Sequence, residues 1–298
     1  MNRSASLSQR ATVSPLLLVI TAILSAALAC GSKAPAPTVT ITQTAGVTLT
    51  PSRPAPTEGA ESAALPTHTP TPEPTTAAPV QVTPGTADVV YHSGDLELKG
   101  WLCTPEGVGP FPAVLYNHGG LGDQIGGAPL ETCEELARDG FVGFSPIRRQ
   151  TVPLEGHLDD VLAGVDYVKG LPYVDSRRLG IIGFSRGGML TYFAAAARPA
   201  DFKAIVIMAA AEEILGRYQS QTGDISAPVL LLVSENDRSP HDHVRVMLEL
   251  KAALEAAGKE VEFIMYPPFG NDGHLMFFEV GDYWSDVQEF LQTHLGES

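Results

Sequence analysis

Residues 183–187 read Gly183-Phe184-Ser185-Arg186-Gly187, a spacing that suits a serine nucleophile. The apolar run Leu179-Gly180-Ile181-Ile182 enters it as an expected strand, and a helix from Arg186 to about Arg198 is expected to leave it. Between a strand and a helix, such a turn lifts the Ser185 hydroxyl above the sheet, where a base and a substrate can both reach it. The turn is too tight for side chains at Gly183 and Gly187. The helix N-terminus presents N–H groups to a developing oxyanion, that of Arg186 first. A serine hydroxyl is a poor nucleophile near neutral pH, so it needs a base and a group that orients the base. In sites of this kind the partners follow in the order serine, acid, histidine. Val229–Val233 runs into Ser234-Glu235-Asn236-Asp237, which makes Asp237 the expected acid and Glu235 its competitor. Asn271-Asp272-Gly273-His274-Leu275 follows the last expected strand, and His274 is its only histidine, hence the expected base. His294 falls in the terminal helix, and His241 and His243 come too early. The second oxyanion donor is expected in Asn117-His118-Gly119-Gly120-Leu121-Gly122, at the N–H of Gly120 or next at Leu121, with His118 bracing the loop. No metal is expected, because adjacent side chains in His241-Asp242-His243 do not converge on one ion. Arg148, Arg149, Arg186 and Arg217 are read as solvated surface residues, with contact to a substrate carboxylate as the alternative.

The elements that must position these groups alternate. Strands are expected over Val89–Leu102 (two, around Ser93-Gly94), Ala113–Tyr116, Phe141–Phe144, Leu179–Phe184, Ala204–Met208, Val229–Val233 and Val261–Tyr266. Helices are expected over 128–139, 156–170, 186–198, 243–257 and 281–295, from apolar spacings such as Val161, Val165 and Val168. The later strands are continuously apolar, as required when both faces of a parallel sheet are covered. The pattern specifies an α/β fold: a doubly wound, mostly parallel sheet of about seven or eight strands. The short chain between Met208 and Pro228 leaves room for a minimal lid only.

Composition separates this unit from what precedes it. Among 298 residues the first aromatic side chain is Tyr91, so a packed core is expected over 88–298. Residues 1–87 hold four basic and three acidic groups, so residues 88–298 hold 15 basic and 31 acidic groups and carry −16 against the whole chain's −15. So acidic a domain repels phosphate backbones, which excludes nucleic acid as a main partner. Arg3 and Arg10, the apolar run Leu16–Leu24 and small residues up to Ala29 read as a signal peptide over 1–29. Ala27-Leu28-Ala29-Cys30 resembles a bacterial lipobox, with Ala27 where leucine is usual; Cys30 is then the lipidated first residue. Ordinary cleavage near Ala29 and an uncleaved anchor are the alternatives. Residues 30–87, rich in Pro and Thr, read as a disordered tether. The expected location is extracytoplasmic, on a membrane through the lipid. Export permits a disulfide between Cys103 and Cys133, but the sequence carries no distance between them, and two buried thiols are the expectation.

Residues 88–298 resemble an α/β-hydrolase of the dienelactone hydrolase family, with further similarity to the catalytic domain of prolyl oligopeptidase-type peptidases. Trp101-Leu102 with Pro105, Phe111–Val114, His118-Gly119-Gly120, Asp175 with Arg178-Leu179-Gly180, Gly183–Gly188, Asp237 and Gly273-His274 carry the resemblance. It implies the α/β-hydrolase fold and a Ser185–His274–Asp237 triad, with no cofactor. Dienelactone hydrolases carry cysteine at the nucleophile and a glutamate near the oxyanion loop. Here Ser185 and glycines stand in those places, which favours a general serine esterase on small-molecule esters. A serine peptidase, an acyl transferase and a non-catalytic binding module are the alternatives; the oligomeric state is not legible.

Overall fold

The computed structural model describes residues 79–120, 124–151, 155–212 and 220–296. All of them fall within Thr69–Ser298, one of the two units into which the chain divides. The expected signal peptide, Cys30, most of the tether, Leu121 and Arg217 lie outside the described residues.

The strands are β1 (Val80–Val82), β2 (Gly85–Ser93), β3 (Leu96–Thr104), β4 (Gly107–Gly109), β5 (Phe111–Asn117), β6 (Val142–Pro146), β7 (Val174–Phe184), β8 (Phe202–Met208), β9 (Val229–Ser234) and β10 (Val261–Tyr266). The helices are α1 (Pro129–Arg138), α2 (His157–Lys169), α3 (Arg186–Ala197), α4 (His243–Ala256) and α5 (Trp284–Leu295). Eight strands form one sheet in the order β10-β9-β8-β7-β5-β6-β3-β2. From β6 to β10 every pairing is parallel; β2 and β3 close one edge as an antiparallel hairpin. This is the doubly wound α/β sheet that the alternation specifies.

Period-2 alternation divides the core between the two faces of the sheet. Leu115, Ile181, Ile205, Ile207 and Leu231 pack with Val161, Val165, Met247 and Leu250 on one face. Val114, Tyr116, Ile182, Val206 and Leu232 pack with Leu136, Val287 and Leu291 on the other.

Two differences from the sequence reading have local causes. Strand structure begins at Val80, inside the stretch expected as tether. β1 pairs with β4 as a separate ribbon, Val82 is buried, and the Gln81 side chain donates to the Gly107 carbonyl at 2.9 Å. A two-valine ribbon needs no aromatic residue, so the aromatic boundary missed it. Cys103 and Cys133 are joined as a disulfide rather than standing as two thiols. A Cβ at Gly143 would sit 2.5 Å from the Cys133 carbonyl oxygen, so that glycine lets α1 lie close on the sheet. This brings the two cysteine Cα atoms to 5.6 Å. Closing a loop of this length stabilises the fold by about 3–4 kcal/mol.

Among the described residues of the β8–β9 crossover, where a lid would sit, Ser220 and Gln221 are helical and lead into a one-turn 3-10 helix, Thr222–Asp224.

Candidate active site

Ser185 is the hinge between β7 and α3, and it has φ 54° and ψ −117°. Positive φ on a residue with a Cβ costs on the order of 1–3 kcal/mol, so the surroundings must hold it. The Ser185 N–H donates to Met208 O at 2.9 Å, and its carbonyl accepts from Ala211 N–H at 3.0 Å and Met189 N–H at 3.1 Å. A Cβ at Gly183 would overlap the Gly187 carbonyl, and one at Gly187 would overlap the Asn117 carbonyl. The two glycines of the motif are therefore fixed by close backbone approach. Asn117, at the end of β5, donates to Thr191 of α3 at 2.9 Å and ties the two elements together.

Three residues beyond β9, Asp237 is fully buried and its competitor Glu235 is exposed. The Asp237 carboxylate accepts from His274 Nδ1–H, with Nδ1 2.9 Å from Oδ2 and 3.1 Å from Oδ1. That bond fixes the tautomer and leaves the His274 Nε2 lone pair for a proton from the nucleophile. His274 opens a 3-10 helix (Gly273–Phe278) capped by Asp272, whose side chain accepts the His274 N–H at 3.0 Å. A Cβ at Gly273 would sit 2.6 Å from Asp237 N, so only glycine lets the histidine loop lie on the acid loop. Asn236 laces the two loops: its Oδ1 accepts from Phe269 N–H at 2.9 Å, and its Nδ2 faces the carbonyls of Phe269 and Gly270. Sequence reasoning passed over Asn236, which only the fold brings to the second loop.

His243 is the other residue it passed over. Its ring stacks on His274 at 4.2 Å between centroids and 22° between planes, and it is 2% exposed. Asp237, His243 and His274 each offer a ligand atom within 4.8 Å of the others. Stacked rings send their lone pairs nearly parallel rather than to one point, and His274 Nδ1 is already bonded to Asp237, so the set suits a metal poorly. In His241-Asp242-His243, Asp242 caps α4 by accepting Arg245 N–H at 3.0 Å, and the two histidine rings stand 6.2 Å apart.

The oxyanion side is built differently. Gly119 and Gly126 exchange backbone hydrogen bonds of 2.8 and 3.2 Å. Gly120 has φ +85°, and a Cβ there would overlap the Gln124 carbonyl. A Cβ at Gly119 would lie 3.2 Å from Ser185 Cβ, so the glycines bring this backbone against the nucleophile. Behind them His118 is buried and donates from Nδ1 to Gly119 O at 2.6 Å. Burial, reinforced by the nearby Arg148 cation, pushes its pKa down to about 3, so it braces the loop as a neutral ring.

Arg148 departs from the expectation of a solvated residue: it is 4% exposed, and burial lowers its pKa to about 10. Its Nε and Nη1 have no partner among the described residues, and Nη2 faces His118 Nδ1 at 3.4 Å, a nitrogen that itself donates. Asp160, the nearby acid, is held by Arg149 through its backbone N–H at 2.8 Å and its guanidinium at 2.6 Å. Arg149 is thus paired rather than solvated.

Ser185, His274, Gly120 and Arg186 line one cleft of about 860 Å³, with Phe184, Ile125 and Phe278 as apolar walls. That size suits a small-molecule site. Glu212 and His241 stand at its edge, and Glu212 pairs with Arg245.

Fold and site together define the class: this is a hydrolase of the α/β-hydrolase superfamily. Residues 154–224 match the prolyl oligopeptidase family. A Methylorubrum extorquens relative, named as a candidate carboxymethylenebutenolidase, is 28% identical over 230 residues, 66% of this chain and 77% of its own. Among solved structures, Pyrococcus horikoshii acylaminoacyl peptidase aligns with TM-score 0.61 and 21% identity over 73% of this chain and 43% of that one. A candidate dienelactone hydrolase from Klebsiella pneumoniae aligns with TM-score 0.55 and 20% identity over 74% of this chain and 100% of that one. At these identities the structural likenesses establish the fold alone, and the chain spans less than half of the acylaminoacyl peptidase. Together the sequence and structural likenesses support a dienelactone hydrolase-like α/β-hydrolase.

Proposed function

We propose that the protein is an exported, lipid-anchored serine hydrolase that cleaves small carboxylic esters. The observation that carries this reading is the Asp237–His274 hydrogen bond, in one cleft with the Ser185 elbow and the glycine loop at Gly120. Ser185 Oγ attacks the ester carbonyl while His274 Nε2 takes its proton, and Asp237 stabilises the imidazolium that forms. The N–H groups of Arg186 and Gly120 hold the tetrahedral oxyanion. His274 then returns the proton to the leaving alcohol, and water repeats the attack on the acyl-enzyme. No step draws on a metal or an organic cofactor. The relative named for butenolide hydrolysis supports an ester substrate. Ser185, in place of the cysteine of dienelactone hydrolases, favours esters in general over dienelactone itself. The buried Cys103–Cys133 disulfide supports an oxidising compartment, and the Cys30 lipobox a lipid tether.

A second reading, a serine peptidase, draws on the match to the prolyl oligopeptidase family and the likeness to acylaminoacyl peptidase. Turnover of p-nitrophenyl esters of graded acyl length by the full chain separates the two. The ester reading expects turnover that depends on acyl length and is absent in Ser185→Ala. Undiminished turnover in that variant refutes the mechanism, and cleavage of blocked peptides without ester preference promotes the peptidase. Metabolic labelling with a fatty acid, lost in Cys30→Ala, tests the tether.

A further inference from the structure

We propose that His243, a histidine outside the triad, is a positioning residue that holds the plane of His274 by stacking against it. The inference rests on the triad reading above.

Three observations converge on it. The first concerns the tautomer. His243 Nδ1 lies 3.0 Å from the Ala210 carbonyl, which can only accept, so Nδ1 carries the hydrogen and Nε2 a lone pair. Nε2 stands 4.0 Å from Asp237 Oδ1, beyond hydrogen-bond range, and a lone pair has nothing to offer a carboxylate. His243 therefore leaves both Asp237 oxygens to His274 and meets His274 through its ring face.

The second is the quality of the stack. At 4.2 Å and 22°, His243 is nearer and flatter against His274 than Phe184, the other ring in contact among the described residues, at 4.6 Å and 39°. Two rings restrain rotation of His274 about the bond to its Cβ, which a hydrogen bond from Nδ1 alone restrains less. Burial, and next the charge of His274, hold the His243 pKa below its ordinary value. A neutral ring then faces the imidazolium formed during turnover, and a π face attracts a cation.

The third is the anchoring. His243 opens α4, and the N–H of the next residue, Val244, donates to the Asp237 carbonyl at 3.3 Å. Ala210, which fixes the ring, adjoins Ala211, whose N–H donates to the Ser185 carbonyl at 3.0 Å. Neighbouring peptide groups thus anchor the stacking ring and the nucleophile, so the stack is built into the site. A buried histidine that served packing alone would need the volume and not the flat face.

The test compares His243→Phe, His243→Leu and His243→Ala in the full chain, each assayed on p-nitrophenyl acetate well below its own unfolding midpoint. Phenylalanine keeps a flat face, whereas leucine keeps volume without one. Misplacing a catalytic group by about 1 Å costs up to about 100-fold in rate. We expect kcat to fall about 10- to 100-fold in the Leu and Ala variants, KM to stay within about twofold, and the Phe variant to stay within about threefold of the parent. The downfield His274 Nδ1–H proton resonance should stay sharp in the parent and the Phe variant and broaden in the Leu variant. A Leu variant with the parent's kcat would overturn the inference, because packing alone would then suffice. A Phe variant as slow as Ala would overturn it too, because a hydrogen bond would then be what matters. Ser185→Ala, run in parallel, reports on the triad reading separately. If it retains turnover, the triad reading fails; if it is inactive while Leu is unimpaired, only the inference about His243 fails.

Discussion

The two walls of the cleft hold polar groups in opposite ways. On the acid–base wall, Asp237 is buried but both its oxygens lie within reach of His274 Nδ1, and Asn236, Asp272 and Ala210 fix the residues around it. On the oxyanion wall, Arg148 is equally buried, yet its Nε and Nη1 and the nearby Asn117 Oδ1 have no partner among the described residues. One wall is held by directed hydrogen bonds. The other has directed bonds too, between Gly119 and Gly126 and from His118 to Gly119, but it also carries the cost in stability of buried Arg148 and Asn117 atoms without a partner among the described residues. The wall that must move protons is the satisfied one, because proton transfer needs one ring orientation and one tautomer. The wall that must receive a negative charge keeps a buried cation nearby, in Arg148.

The comparison breaks most sharply at Asp237. Asp237→Asn keeps the shape and removes the charge that fixes the His274 tautomer, and kcat for ester hydrolysis should fall by on the order of 10,000-fold. A loss of less than about tenfold would mean that the acid–base wall does not depend on this carboxylate. Next comes Gly120→Ala, which forces a side chain into a position with φ +85° and against the Gln124 carbonyl. Displacing one oxyanion donor should lower kcat about 100- to 1000-fold and leave the burst of Ser185 acylation equally slow. Rates near the parent's would place the donor elsewhere in the loop.

Arg148→Met sharpens the contrast from the stability side. It removes a buried cation whose Nε and Nη1 have no partner among the described residues and keeps much of its length, so unfolding in urea should require about 1–3 kcal/mol more. A loss of stability would show the guanidinium to be satisfied and the two walls to be alike. A further effect is in pH. The folded pKa of His118 is depressed to about 3 from 6.5, so the unfolded chain takes up the proton first. Its contribution to stability is complete above about pH 6.5 and drains as pH falls towards about 3, at ~1.4 kcal/mol per unit at most. Thermal midpoints measured from pH 7 to pH 4 should fall, and less steeply in His118→Gln. An unchanged slope would assign the acid sensitivity to other groups; His157 and His243, also lowered by burial, are the next candidates.

How far these walls can be read from the chain follows from the distances along it. Ser185 was legible because its motif, its strand and its helix are contiguous. Asp237 and His274 were legible because chain order and strand ends in a parallel sheet locate them without coordinates. Gly120 stood out as one of a run of glycines after an apolar strand. His243 was set aside as too early for the base, because its meeting with His274 requires two loops 31 residues apart to fold onto each other. Arg148 looked like any arginine after a strand, since burial of a cation leaves no local signature. The disulfide depended on Gly143 bringing α1 to the sheet, and β1 on two valines that no aromatic residue announced.

The most direct test of the central claim is to label the full chain with a fluorophosphonate and identify the modified residue by mass spectrometry, following ester turnover in the same samples. The account predicts a single adduct on Ser185, formed in step with loss of turnover and greatly slowed in His274→Ala. An adduct on another residue, or full turnover once Ser185 is modified, would contradict it.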